Sequence, residues 1–352
     1  IMPYISASIA IQLLTMALPY FQKMQKEGES GRKKLNQITR VLTIVVTLVQ
    51  ATTYLNTTVP DEALLVSRSL FSISSVFVLT AGTMFCMWLG ERITDKGIGN
   101  GISMLIMIGI VSRFPGAIYK EFVSRGSGQI LLFVLEIVAL YFVIMGAVML
   151  TQAVRKIPIQ YAKQVVGNRV MGGQRQYLPL KLNAAGVMPI IFAQALMFIP
   201  SLGASYFAEK SDFAAEVATI FANYATWQYN LLFAFLIIVF TFFYTAISVN
   251  PQQIADDMKR GGGFIPGIKP GQQTSEYISS ILDRITFPGA ILLALVAILP
   301  AFASLLGISS DFGHFFGGTS LLIMVGVVLD TLQQVESHLL MRRYEGLMKS
   351  GR

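Results

Sequence analysis

The chain has 352 residues, of which 54% are hydrophobic and only 13% charged, and its mean hydropathy is +0.61. Soluble domains carry about 25% charged residues, so this composition argues against a cytosolic enzyme, a disordered protein and a coiled coil. It leaves a polytopic membrane protein, whose net charge of +8 calls for sided loops or a nucleic-acid partner.

A bilayer core takes about 20 apolar residues per helix. Nine stretches meet that need: 1–20, 37–57, 66–91, 98–118, 129–152, 184–207, 229–249, 286–307 and 315–338. No soluble domain interrupts them, so the expected fold is all-α, a single membrane domain over residues 1–352. The first stretch starts at Ile1, already apolar, which predicts further structure upstream; no signal peptide is legible. It reads Pro3-Tyr4-Ile5-Ser6-Ala7-Ser8 and then Gln12. The third stretch holds Cys86, the only cysteine. A lone cysteine excludes an intramolecular disulfide and a Cys-rich metal site, and its apolar setting predicts a buried structural thiol.

The fourth stretch is interrupted by Arg113 and Pro115, so it is expected to be short, tilted or partly re-entrant. Glu136 lies in the fifth and Asp330 in the last. Intramembrane carboxylates are functional suspects. Both sit toward helix ends, however, which favours a satisfied interhelical bond or snorkelling over a proton relay. The sixth stretch follows Asn183 and contains Pro189, Gln194 and Pro200. Amide and small side chains permit close helix approach and interhelical bonds of about 1 kcal/mol. Bonds that weak suit a seam that opens; static packing is the alternative.

Lys and Arg alternate from loop to loop. The segments 21–36, 92–97, 153–183, 250–285 and the tail, together with Arg40, hold 22 of the 27. The positive-inside rule places these segments and the C-terminus in the cytoplasm. Two of the loops, 153–183 and 250–285, are long enough to be functional. The second contains Gly261 through Gly271, whose glycines and prolines set tight turns, with Lys269 at the tip. A docking turn and a solvated linker both remain open for it.

Catalytic chemistry is absent. The two histidines, His314 and His338, lie far apart, which makes a zinc site or a Ser-His-Asp triad improbable. Gly97-Ile98-Gly99-Asn100-Gly101 follows no strand and has the wrong spacing for a dinucleotide loop. No Walker A pattern exists, so ATP-driven work must come from a partner's motor. No cofactor, metal or enzymatic activity is expected. Ile1 and Ile5 share one helix face, as do Ile102 and Ile106; Ile191 and Ile323 sit in later spans. Convergence of these faces would make an aliphatic constriction that excludes ions by dewetting. Spacing alone assigns such isoleucines to lipid contact or packing.

Longer motifs decide between these readings. Ile1-Met2-Pro3-Tyr4-Ile5-Ser6-Ala7-Ser8-Ile9 resembles the second half-helix of the SecY family, the central subunits of bacterial protein-conducting channels. Further stretches match that family in order: Lys26-Glu27-Gly28-Glu29-Ser30-Gly31-Arg32, Gly82-Thr83-Met84-Phe85, Met87-Trp88-Leu89-Gly90-Glu91, Gly97-Ile98-Gly99-Asn100-Gly101-Ile102-Ser103, Leu178-Pro179-Leu180-Lys181, Asn250-Pro251, Pro266-Gly267-Ile268-Lys269-Pro270-Gly271 and Phe316-Gly317-Gly318-Thr319-Ser320-Leu321-Leu322-Ile323. The resemblance covers essentially the whole chain.

The resemblance implies a ten-helix channel in two pseudo-symmetric halves, with nine spans visible here and helix one and the plug half-helix lying upstream. It puts the pore ring on Ile1, Ile5, Ile102, Ile106, Ile191 and Ile323. It puts a lateral gate at Ser6, Gln12 and Asn183. It makes the loops 153–183 and 250–285 docking sites for the SecA motor or a translating ribosome, through Lys163, Arg169, Lys181 and Lys269. SecE and SecG are the implied membrane partners, and signal peptides, nascent chains and lipid the other contacts. The implied location is the bacterial cytoplasmic (inner) membrane. The family's glycine-proline turn usually carries Arg where this chain has Lys269, which keeps the charge but loses the planar fork. Asn168 stands where relatives often have a first arginine before Arg169. A secondary transporter with a midplane site and a nonconducting scaffold or insertase are the rival readings. Nucleic-acid binding survives as salt-sensitive contact with ribosomal RNA.

Overall fold

Proline and glycine positions divide the apolar chain into its helices. The computed structural model describes residues 2–126, 128–161, 164–166, 169–171, 175–194, 196–197, 220 and 226–350. They form two compact units, one of Ile1–Gly109 with Asp330–Arg352 and one of Ile110–Leu329.

In the first unit, α1 (Met2–Ala17) stops before Pro19. Proline has no N–H and pushes the residue before it out of the helical region, and Leu18 is extended at φ −111°, ψ 125°. The chain turns by 102° into α2 (Pro19–Lys26), so the expected span over 1–20 is bent at its end. In α3 (Glu29–Thr58), Thr39, Thr43 and Thr47 are buried, and each hydroxyl donates to the carbonyl four residues back, at 2.9, 2.7 and 2.7 Å. Those bonds satisfy the hydroxyls inside the helix and leave a narrow face against which α1 packs. Ile11, Met24 and Leu35 close the small core between α1, α2 and α3. Arg40 of α3 holds Glu91 of α4 (Arg68–Lys96) through two bonds of 3.0 and 2.6 Å. The outward side of α4 is apolar, with Phe77, Phe85 and Trp88 exposed, as a lipid-facing helix requires. Cys86 on this helix is half-buried, not buried as expected, because little packs over α4.

The helix α5 (Gly101–Val111) leads through Ser112–Arg113 into α6 (Phe114–Arg125). The expected interruption at Arg113 and Pro115 is one turn only. Pro115 sits in the first turn of α6, where its missing N–H costs nothing, and the two pieces make one 25-residue span, longer than the expected 98–118.

The second unit continues with α7 (Ile130–Gln152), β1 (Val154–Tyr161), β2 (Gln164–Val166), β3 (Arg169–Met171) and β4 (Arg175–Lys181). Then come helical residues 188–194, α8 (Trp227–Ser248), α9 (Pro251–Arg260), β5 (Gly263–Phe264), α10 (Gln272–Leu305), α11 (Ser310–Gly313) and the first part of α12 (Gly318–Ser350), whose residues from Asp330 on belong to the first unit. A membrane-depth core gathers Ala147, Ile190, Phe233, Ile237, Leu293 and Leu322. A second core under Phe312, Phe315 and Phe316 packs α6 and α7 beside the chain after α10.

Seven helices among the described residues are long and apolar enough to cross a membrane, or eight if α1 and α2 form one bent span. Of the nine expected, 184–207 lies partly outside the described residues. Two boundaries move for the same reason. α3 starts at Glu29 rather than 37, and α10 at Gln272 rather than 286. A helix does not end where its hydropathy falls, because its polar end remains hydrogen-bonded. The segment 250–285 is therefore mostly helix, not loop.

Candidate functional site

The described positions expected in the ring are each only half-buried. Ile5 stands on α1 beside buried Ala7 and Ile9, and Ile102 and Ile106 stand one turn apart on α5. In the second unit Ile191 follows Ile190, which is 0% exposed, and Ile323 follows Leu322, also 0% exposed. Ile190 and Leu322 belong to one core, so the segments carrying Ile191 and Ile323 are packed together. Ile1 lies outside the described residues.

The sequence Gly97 to Gly101, rejected above as a dinucleotide loop, is a helix start. Asn100 Oδ1 accepts from the backbone N–H groups of Ile102 and Ser103 at 3.1 and 3.2 Å, the N-cap arrangement that satisfies free donors of a first turn. The Gly101 N–H donates to Thr94 Oγ1 at 2.8 Å, and that hydroxyl donates to the Gly90 carbonyl at 3.0 Å.

The positions expected at the gate are polar groups on apolar segments. Ser6 and Gln12 are half-buried on α1, and Asn183 is buried. Gln12 Oε1 and Asn183 Oδ1 are both buried without a hydrogen-bond partner among the described residues. An unmade buried bond costs about 1–3 kcal/mol.

The two long basic loops meet in one three-stranded sheet of order β4-β1-β5. Antiparallel pairing sets Ile157 against Leu178 and Pro158 against Tyr177 on one side, and Gln160 against Phe264 on the other. Pro158 is tolerated because β5 reaches only Gln160 and Tyr161, so its missing N–H falls where β1 has one neighbour. Ile157, Ile159, Leu180, Met258, Ile265 and Ile278 give this layer its own core. Asn250 caps α9, accepting from Gln252 and Gln253 N–H, with Pro251 in the first turn.

Between β5 and α10 the Ile268 N–H donates to the Ile265 carbonyl at 3.1 Å, and Gly267 has φ +86°. Pro266 and Gly267 thus occupy the two central positions of a type II turn, the second of which requires positive φ. Buried Ile265 anchors its base, and Thr274 Oγ1 donates to the Lys269 carbonyl at 2.9 Å. Lys269 is exposed immediately after the turn. This is a built turn, not a solvated linker. Lys181 is exposed at the end of β4, opposite Val154, and the backbone of Arg169 pairs with Val166. Lys163 and Asn168 lie outside the described residues.

One charged cluster escaped the reading of the sequence beyond its Glu136 member. Arg125 donates from Nη2 to Glu136 Oε1 at 2.5 Å and to the Gly307 carbonyl at 2.8 Å, and from Nε to Glu121 Oε1 at 3.1 Å. Glu121 Oε2 accepts from the Ser309 N–H at 3.1 Å. Glu136 thus makes the expected interhelical bond through Oε1, while its Oε2 is buried without a partner among the described residues, and Asp330 is exposed. The Glu121–Arg125 spacing of four was the available signal; nothing local pointed to Gly307 or Ser309. Nearby, Lys120 Nζ donates to Asp311 Oδ2 at 2.8 Å, and this bond holds the Asp311 carboxyl below the usual range.

The SecY family model matches residues 1–332. The protein translocase subunit SecY of Streptomyces scabiei is 43% identical, over 99% of this chain and 82% of that protein. A solved structure described as that of a protein conducting channel superposes with a TM-score of 0.67 at 17% identity, over 96% of this chain and 80% of the other. Sec61 in the canine ribosome-channel complex from the endoplasmic reticulum superposes with a TM-score of 0.60 at 16% identity, over 96% and 80%. These two likenesses show the fold; the sequence match at its length shows the family. The chain belongs to the SecY family of protein translocase subunits, multi-pass membrane proteins that form a protein-conducting channel.

Proposed function

We propose that this chain passes unfolded secretory polypeptides through a constriction formed by Ile1, Ile5, Ile102, Ile106, Ile191 and Ile323, and releases apolar segments sideways into lipid at a seam bearing Ser6, Gln12 and Asn183. The half-exposure of the described isoleucines, with Ile191 and Ile323 directly beside fully buried Ile190 and Leu322, carries this reading. Faces turned away from the core of their own unit are available to line a passage. Branched aliphatic side chains there hold back ions by dewetting yet yield to a chain. An apolar segment at the seam gains about 25 cal/mol per Å² on leaving water. The oxygens of Gln12 and Asn183, without a hydrogen-bond partner among the described residues, make a closed seam less stable than an apolar one, which favours opening.

The whole of residues 1–352 acts as one channel domain, without covalent chemistry or a cofactor. The segments 153–183 and 250–285 face the bacterial cytoplasm with the C-terminus, and dock the SecA motor or a ribosome through Lys163, Arg169, Lys181 and Lys269. SecE and SecG complete the complex. The joint sheet of the two loops and the anchored Lys269 turn support a firm docking face. A midplane-site transporter finds no support, since Glu136 is committed to Arg125 and Asp330 is exposed.

The test places a photo-crosslinker at Ile5 and at Ile191 in the assembled translocase and stalls a secretory chain in transit. Both positions should crosslink to the chain. Labelling of neither, with the chain demonstrably stalled, overturns the assignment.

A further inference from the structure

Ile102 is pressed against a glycine of the preceding helix. A Cβ built on Gly90 would lie 2.6 Å from Ile102 Cγ1, 3.2 Å from its Cα and 3.3 Å from its backbone N. A Cβ on Gly101 would lie 2.1 Å from the Gly90 carbonyl oxygen, 2.6 Å from Ile93 Cβ and 2.9 Å from Thr94 N. The end of α4 and the start of α5 are thus in backbone contact, with a glycine at each touching point. The Thr94 hydroxyl ties the same place together, bonding Gly101 on one side and Gly90 on the other.

We propose that Gly90, Thr94 and Gly101 are positioning residues for Ile102 and so set how tightly the resting channel seals; this rests on the pore-ring reading above. Gly90 is in ordinary helical conformation with no positive φ, so no backbone requirement explains it. Only the approach of Ile102 does. Carbon atoms meet comfortably at about 3.5–4.0 Å, so a methyl group at Gly90 must displace Ile102 by about 1 Å. The main clash is with Cγ1, close to the Ile102 backbone rather than at a flexible far end, and the backbone contacts at 3.2 and 3.3 Å leave room for only a few tenths of an ångström of adjustment. Gly82, two turns earlier on α4, has nothing within 4 Å of its added Cβ and serves as the internal control.

The experiment measures resting ion conductance of the assembled translocase in planar bilayers. Gly90→Ala should raise the leak by about threefold or more through a loosened constriction, and Gly82→Ala should leave it unchanged. Ile102→Ala should raise the leak by itself; a wild-type leak there sinks the pore-ring reading. In the Ile102→Ala background, where Cγ1 is gone, Gly90→Ala should add less than about twofold, since coupled sites are not additive. An equal multiplication in both backgrounds, or a wild-type leak from assembled Gly90→Ala, overturns the positioning role while leaving the ring intact. Should Gly90→Ala not assemble, Thr94→Val and Thr94→Ser decide. Valine loses the acceptor for Gly101 and should leak, serine keeps it and should seal, and equal sealing by both refutes the proposal.

Discussion

Arg125→Met should be among the most destabilising single changes in this chain. The guanidinium is the only cation bonded to Glu121 and Glu136 among the described residues, and the three side chains are 15%, 1% and 8% exposed. Methionine fills much of the same volume but leaves two buried carboxylates facing each other and the Gly307 carbonyl without its donor. Removing one partner of a buried ion pair costs about 3–5 kcal/mol. One kcal/mol shifts the midpoint by about 2–4 °C in a unit of 150–250 residues, the size class of Ile110–Leu329, so the fall should be roughly 6–20 °C. Glu136→Gln is the contrast. Its amide oxygen still accepts from Arg125, one carboxylate remains to balance the guanidinium, and the fall should be a few degrees. The assay is thermal unfolding in detergent at one scan rate, because unfolding of such proteins is commonly irreversible. Arg125→Met melting with wild type would refute the reasoning, since the cluster would then be solvated or dispensable.

Asn183→Leu removes a buried acceptor that has no partner among the described residues and should raise the signal hydrophobicity needed for insertion; equal insertion across a graded signal series counts against a gate role. Lys269→Glu reverses a charge on an exposed, well-anchored turn. It should cost under about 0.5 kcal/mol of stability yet impair motor- or ribosome-driven transport, and normal binding and transport would remove Lys269 from the docking face. The Lys120 bond depresses the Asp311 carboxyl, so its contribution is present above the ordinary value of about 3.9 and fades as pH falls through the lowered folded-state value. The small melting difference between Asp311→Asn and wild type at pH 7 should therefore close in acid, and a gap that persists at pH 2 argues against the bond.

The membrane class, most of the spans and the basic loops follow from the sequence because hydropathy is local: a window of about 20 residues suffices. Motif resemblance adds the proposed ring and gate positions, which composition cannot reach. What the tertiary structure decided depends on residues distant in sequence. Ile190 and Ile191 are chemically identical neighbours, and only packing against Leu321 and Leu322 separates core from free face. The two long loops read as separate connections, yet Tyr161 pairs with Gly263 across a hundred residues. Arg125 looks like a surface cation until Gly307, 182 residues away, accepts its second N–H. Gly90 is only part of a motif in the sequence until Ile102 is seen against it. A side chain's role here is set by what occupies the few ångströms around it, and the folded chain brings those atoms from segments whose local patterns carry no record of one another.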